Sequence, residues 1–100
     1  MEMVYVAHKF TDNPAANIER AKQITNALQR ADTNSLYVTP LLALSHIASG
    51  ELGYEKEMEL CLALLDRCNR MIVASEISKG VQMEIDHCRQ KGIPIQYLPP

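Results

Sequence analysis

Glu84 stands four residues after Gly80 in the stretch Ser78-Lys79-Gly80-Val81-Gln82-Met83-Glu84, which follows the apolar run Met71-Ile72-Val73-Ala74. Residues four apart share a helix face, so Gly80 and Glu84 look out on the same side of any helix that starts here. A helix N-terminus offers unpaired N–H groups and a partial positive charge, which suit an anionic or sugar-phosphate ligand. The same field would hold a carboxylate one turn inside in its ionised form, the form a nucleophile needs. Val81, Ile85 and Cys88 fall on the core side of this helix and Glu84 adjoins them. A solvated surface glutamate is the competing reading.

The other chemistry-bearing residues have plain alternatives beside the functional ones. Ser78 is a good helix N-cap and could also touch a ligand, and Lys79 beside it could be merely solvated. Tyr5 lies in an apolar run whose end faces the same region, and a buried tyrosine hydroxyl needs a partner. His8 and Lys9 follow at the mouth of that run, where a histidine serves as a loop residue, a ligand to substrate hydroxyls or an acid/base. His46 follows the apolar segment 41–44 and is either a crevice wall or a structural histidine. Glu51-Leu52-Gly53-Tyr54 has the look of a catalytic string, but capping and an acidic first helical turn explain it. No Walker or GxGxxG pattern occurs, so neither a nucleoside triphosphate nor a dinucleotide is indicated.

These residues need a scaffold, and the hydrophobic pattern supplies one. Met3–Ala7 is a continuous apolar run of the kind that forms a strand buried on both faces. Asp12 or Asn13 caps a helix with Pro14 at its start, whose apolar positions are Ile18, Ala21, Ile24 and Leu28. Leu36–Thr39 is a second strand stopped by Pro40, followed by a short helix over 41–48 and a longer one from about Leu52 to Cys68. Met71–Ala74 is the third strand, Gly80–Lys91 the next helix with Gly92 ending it, and Pro94–Leu98 the last strand. The order β-α-β-α-α-β-α-β predicts a single three-layer α/β domain over 1–100, with a parallel sheet of about four strands and helices on both faces. Ligands bind such folds at the carboxyl ends of the strands, near the point where strand order reverses. That rule gathers the segments after Ala7, Thr39 and Ala74 around one crevice.

Composition narrows the function classes. The chain has 100 residues, 47% of them hydrophobic, and a formal net charge of -2 with no basic stripe. A nucleic-acid polymer is therefore an unlikely partner on electrostatic grounds. The longest apolar stretch, Leu60–Leu65, is too short to span a bilayer, and Glu2 with the polar stretch 9–13 breaks any signal-like segment. A cytoplasmic protein is expected. The three cysteines, Cys61, Cys68 and Cys88, are an odd set for a disulfide framework. With Cys61 and Cys68 seven apart on one helix face, they read as core residues. No metal-ligand spacing occurs, and no cofactor is called for. A four-strand sheet buries comparatively little surface. A homodimer or higher homo-oligomer is expected, with 41–44 and Ile47 either at its interface or capping the sheet.

The run Tyr5-Val6-Ala7-His8-Lys9-Phe10 resembles the "Y-x-A-G-P-F" first-strand signature of the nucleoside 2-deoxyribosyltransferase-like superfamily. Gly80-Val81-Gln82-Met83-Glu84-Ile85 is similar to its "G-x-x-x-E-L" segment, and Leu64-Leu65-Asp66-Arg67-Cys68-Asn69 to its "L-L-x-x-A/C-D" approach to the central strand. More closely, the chain is similar to small phage and Firmicute members of unknown function that end in "K-x-G-I-P-I-x-Y". The resemblance implies a flavodoxin-like fold and cleavage or transfer of the N-glycosidic bond of a small-molecule nucleoside or nucleotide. It makes Glu84 the nucleophile and Tyr5 the residue that orients it. Ser78 and Gly80 match the loop that holds the sugar or its phosphate; beside this resemblance, Lys79, His8, Phe10 and His46 are the other candidate substrate-binding residues. Two departures stand out: His8 and Lys9 replace a Gly-Pro pair, and Cys61 stands where the family has an aspartate. Glu57, one turn before Cys61, is a candidate replacement acid. The alternative function is a non-catalytic nucleotide- or sugar-phosphate-binding module of the same fold, and a third reading is an interaction domain whose crevice is closed by side chains.

Overall fold

The computed structural model describes residues 1–99. Its elements are β1 (Glu2–Ala7), α1 (Pro14–Ala31), β2 (Ser35–Val38), α2 (Pro40–Ala43), α3 (Tyr54–Leu65), β3 (Arg70–Val73), α4 (Lys79–Lys91) and β4 (Ile95–Tyr97). The four strands form one sheet in the order β2-β1-β3-β4, and every pairing is parallel. Parallel neighbours require crossover helices, which cover both faces of the sheet. The result is a flavodoxin-like α/β fold. The chain leaves β1 toward β2, then crosses back past β1 to β3, so strand order reverses between β1 and β3.

Alternation along β1 divides the core in two. Tyr5 and Ala7 point to one side, where they pack with Met71, Val73, Leu65, Cys68, Val81, Ile85 and Cys88 from β3, α3, α4 and the α3–β3 turn. Val4 and Val6, also fully buried, point to the opposite side, toward α1. Gln29 of α1 ties that helix to β2 by donating to the Ser35 carbonyl at 2.7 Å and accepting from the Tyr37 N–H at 3.0 Å. Asn69 fixes the start of β3 beside β1: its side chain accepts from the Met3 N–H and its own N–H donates to the Met3 carbonyl, at 2.7 and 2.8 Å.

Helix ends follow local chemistry. Asn13 caps α1 by accepting from the Ala16 N–H, with Pro14 at the first position. Ser78 caps α4 by accepting from the Val81 N–H, and Gly92 ends α4 in the left-handed region that glycine adopts most easily. Three expectations are corrected. The helix expected over 41–48 is a single turn, because the Ser45 hydroxyl donates to the Leu42 carbonyl and tight bonds such as Ile47 N–H to Leu44 replace helical ones. The next helix starts at Tyr54 and stops at Leu65. Gly53 sits at φ 84° before it, and tight turns at Arg67 and Cys68 follow it. Cys68 thus lies beyond the helix that carries Cys61. On α1 the deepest residues are Asn17, Ala21 and Thr25, while Ile18, Ile24 and Leu28 are half-buried.

Asn17 explains why a polar residue holds a core position. Its amide donates to the carbonyls of Phe10 and Thr11 at 3.0 and 2.8 Å, which fixes the loop that leaves β1. Asn17→Ala should cost about 2 kcal/mol, because it strands two carbonyls as well as losing their bonds. In a thermal melt the midpoint should fall by roughly 10 °C.

Candidate functional site

Tyr5 and Glu84, 79 residues apart in sequence, meet in the core between β1 and α4. Tyr5 is fully buried on β1, and its hydroxyl donates to Glu84 Oε2. Glu84 is only 4% exposed on the inner face of α4. Cys61 of α3 stands beside both, near enough for the Glu84 charge and the Tyr5 hydroxyl to bear on its thiol. Three elements thus contribute one group each to a small polar cluster inside an apolar core.

Burial governs the protonation of this cluster. Loss of water pushes the Glu84 carboxyl up to about 7, with the Tyr5 hydrogen bond pulling the other way. The expectation that the helix start would hold Glu84 ionised is therefore corrected. Glu84 is the sixth residue of α4, past the first turn over which the helix field acts, and desolvation outweighs what remains. Burial, then the neighbouring carboxylate, raises the Tyr5 phenol well above its ordinary value. The same causes push the Cys61 thiol up to about 11. Near neutrality the cluster holds a neutral phenol, a neutral thiol and a carboxyl shared between its two forms. It can act as a carboxylate nucleophile or as an acid, and the thiol is a poor proton source.

The first turns of α3 and α4 roof the cluster. A Cβ on Gly80 would lie 3.6 Å from Met58 Sδ and 3.8 Å from the Tyr54 hydroxyl, which are ordinary contacts. Tyr54 also donates to Met83 Sδ at 3.5 Å, and the Lys79 ammonium lies 5.4 Å from the centre of the Tyr54 ring. A shallow depression of about 400 Å³ runs along this seam, lined by Tyr54, Met58, Leu62 and Met83 among others. A second, of about 460 Å³, lies around 52–59. Glu84 lines neither.

The other sequence candidates are distributed as follows. Ser78 spends its hydroxyl on the cap, and Gly80 follows in the first turn with Lys79 between them. His8 is buried just past β1, and its Nδ1 lies 2.7 Å from the Lys9 carbonyl. Phe10 is half-buried in the loop that Asn17 holds. His46 is exposed in the turns after α2, so the structure does not bring it to the cluster. Lys9 links the loops that leave β1 and β3. Its N–H donates to Ser75 Oγ at 2.8 Å, and its ammonium lies 3.6 Å from Glu76 and 3.8 Å from Asp12.

Glu57, the candidate acid one turn before Cys61, has its carboxylate engaged by the loop ahead of α3: it accepts from the Gly50 and Leu52 N–H groups at 3.4 and 3.0 Å. Glu51 likewise accepts from Ala48 N–H at 2.8 Å, so the 51–54 string is a loop clamp. What the pattern missed is Tyr54, whose cover over α4 depends on helix packing, and Thr39, taken only as a strand end. Among the described residues, no three His, Cys, Asp or Glu side chains come together to hold a metal ion, and no helix is long and apolar enough to cross a membrane.

Fold and site together define a small flavodoxin-like domain with a buried tyrosine–glutamate pair between its sheet and α4. The chain belongs to the family described as Domain of unknown function (DUF7768), whose model matches residues 2–98. No curated protein and no solved structure matches it.

Two outcomes follow from this geometry. A carboxyl raised in the folded state holds its proton more tightly there than in the unfolded chain. The Glu84 contribution is therefore full below about 4.5 and is lost as pH rises through about 7. Denaturant titrations should show wild type losing on the order of 3 kcal/mol across that window relative to Glu84→Gln. Gly80→Ala meets no clash and replaces a helical glycine, so it should gain up to about 1 kcal/mol, read as a higher melting midpoint.

Proposed function

We propose that the protein cleaves or transfers the N-glycosidic bond of a small-molecule nucleoside or nucleotide, with Glu84 as the attacking carboxylate. The observation that carries this reading is the buried hydrogen bond from Tyr5 to Glu84, with Tyr5 on β1, the strand at which the order reverses. It joins the two residues that the superfamily resemblance assigns to nucleophile and orienter. Ionised Glu84 attacks the anomeric carbon, and the C–N bond breaks with its electron pair leaving on the base. Water or an incoming base then attacks the same carbon. The ester C–O bond breaks, and the carboxylate returns under the Tyr5 hydroxyl. Two displacements retain configuration. The departing base takes its proton from solvent, since Cys61 holds its own up to about 11. The setting we propose is cytoplasmic. The working unit is a homo-oligomer, a reading supported by the exposed apolar side chains of Leu36 on β2 and Leu42 on α2.

A second reading has its own support. Glu84 is 4% exposed and lines neither surface depression, which favours a closed or binding-only domain of the same fold. One experiment separates the two. Ribo- and deoxyribonucleosides and their 5′-monophosphates are incubated with the protein, and free base is measured by chromatography. The glycosidic reading expects release that rises with pH through about 7, as Glu84 ionises. Glu84→Gln should reduce that release by about 10³-fold or more, and Tyr5→Phe by about tenfold to a hundredfold. No release from any of these compounds overturns it. Thermal stabilisation without product would support binding alone, and neither product nor stabilisation would leave the closed interaction domain.

A further inference from the structure

An apolar strip lies open along the α3–α4 seam. Tyr54, Met58 and Leu62 recur at every fourth residue of α3 and so stand one above another on one side of that helix. With Met83 of α4 they line the depression of about 400 Å³. The 12 residues of α3 give the strip a length of about 18 Å. Tyr54 is 46% exposed, and Met58, Leu62 and Met83 are only half-buried. Single exposed apolar side chains are ordinary, but a contiguous row rimmed by charge marks an interaction surface.

The rim is acidic. One residue on from the apolar row, Glu55 and Glu59 line the same depression, and Asp66 closes its far end. Among the described residues, no lysine or arginine lines it. The cations nearby are already engaged. The Lys56 ammonium lies 3.1 Å from Glu59, His87 Nε2 lies 2.6 Å from Asp66, and the Lys79 ammonium lies 5.4 Å from the centre of the Tyr54 ring. Glu55 has no ion pair among the described residues, and the Lys56–Glu59 pair is exposed on both sides and so contributes little. The strip therefore matches an occupant with an apolar centre and positive charge along one flank. Anchors spaced by a helical turn fit the row of Tyr54, Met58 and Leu62, and flexible methionines mould themselves to such anchors. A second copy of this chain does not supply that element. Its other large exposed apolar residues lie at the N-terminus, on strands, in loops or on the single turn of α2, and the exposed face of α1 carries no large apolar side chain. We infer that the α3–α4 seam docks a basic amphipathic helix of another protein, about three turns long. Its apolar face lies on Tyr54, Met58, Leu62 and Met83, and its lysines or arginines lie over Glu55 and Glu59.

The test involves no nucleoside, so its outcome is independent of the glycosidic reading. The probe is a labelled synthetic peptide of leucine and lysine, as long as α3, with its leucines on one helical face. Binding is read by fluorescence anisotropy and by the ¹³C methyl resonances of the methionines. The peptide should bind with a Kd on the order of 10 μM. It should move Met58 and Met83 and leave the buried Met71 in place. Glu55→Lys should weaken binding by about tenfold, whereas Glu19→Lys, the same charge change on the exposed face of α1, should weaken it by less than about twofold. Both positions are exposed, so both variants should melt as wild type does. A peptide with glutamate in place of lysine should not bind, nor should one in which leucine and lysine alternate and share a strand face instead. No binding by the helical peptide overturns the inference. So does equal binding of the acidic or the alternating peptide, equal loss in the two variants, or movement confined to Met1 and Met3.

Discussion

The burial of one carboxyl against one phenol organises this small protein. Glu84 could occupy an exposed position on α4 at no cost, yet α4 turns it inward, where the Tyr5 hydroxyl is its hydrogen-bond donor. Keeping a carboxyl out of water is expensive unless it is paired or protonated. Here desolvation pushes the group up to about 7, and the hydrogen bond from Tyr5 holds that rise in check. The pair also constrains packing: β1 must present Tyr5 on the α3/α4 side, and α4 must be rotated so that Glu84 lies beside Val81, Ile85 and Cys88. Perturbed carboxyls of this kind gather at functional sites more often than elsewhere.

The same arrangement explains the division of labour between the two faces of the sheet. Because the chain moves one way from β1 to β2 and the other way to β3, the helices fall on opposite sides of β1. One face then carries the tyrosine–glutamate pair against α3 and α4, and the other carries the buried Val4 and Val6. Lys9 spans the gap between the loops above them through Ser75 and Glu76.

Much of the scaffold was legible in the residues. Continuous apolar runs marked β1 and β3, Asn13-Pro14 and Ser78 marked helix starts, and Gly92 marked a helix end, because each rests on local chemistry. The pairing of Tyr5 with Glu84 was reachable only through motif resemblance, since periodicity says nothing about contacts 79 residues apart. The protonation of Glu84 was misjudged because a field argument is local, whereas desolvation depends on α3 packing over α4. The boundaries of α2 and α3 were missed for a related reason. Side-chain bonds from Ser45, Glu51 and Glu57 reshape that segment, and apolar patterning does not record them. Thr39 showed as an ordinary strand end, because an unmade cap leaves no trace in sequence.

The most direct measurement is the titration of the Glu84 side-chain carboxyl by ¹³C NMR, in wild type and in Tyr5→Phe. The account predicts a wild-type midpoint near 7. It also predicts a higher midpoint in Tyr5→Phe, since the hydroxyl stabilises the ionised form. A wild-type midpoint in the ordinary range near 4.5, or one that Tyr5→Phe leaves unmoved, would contradict it.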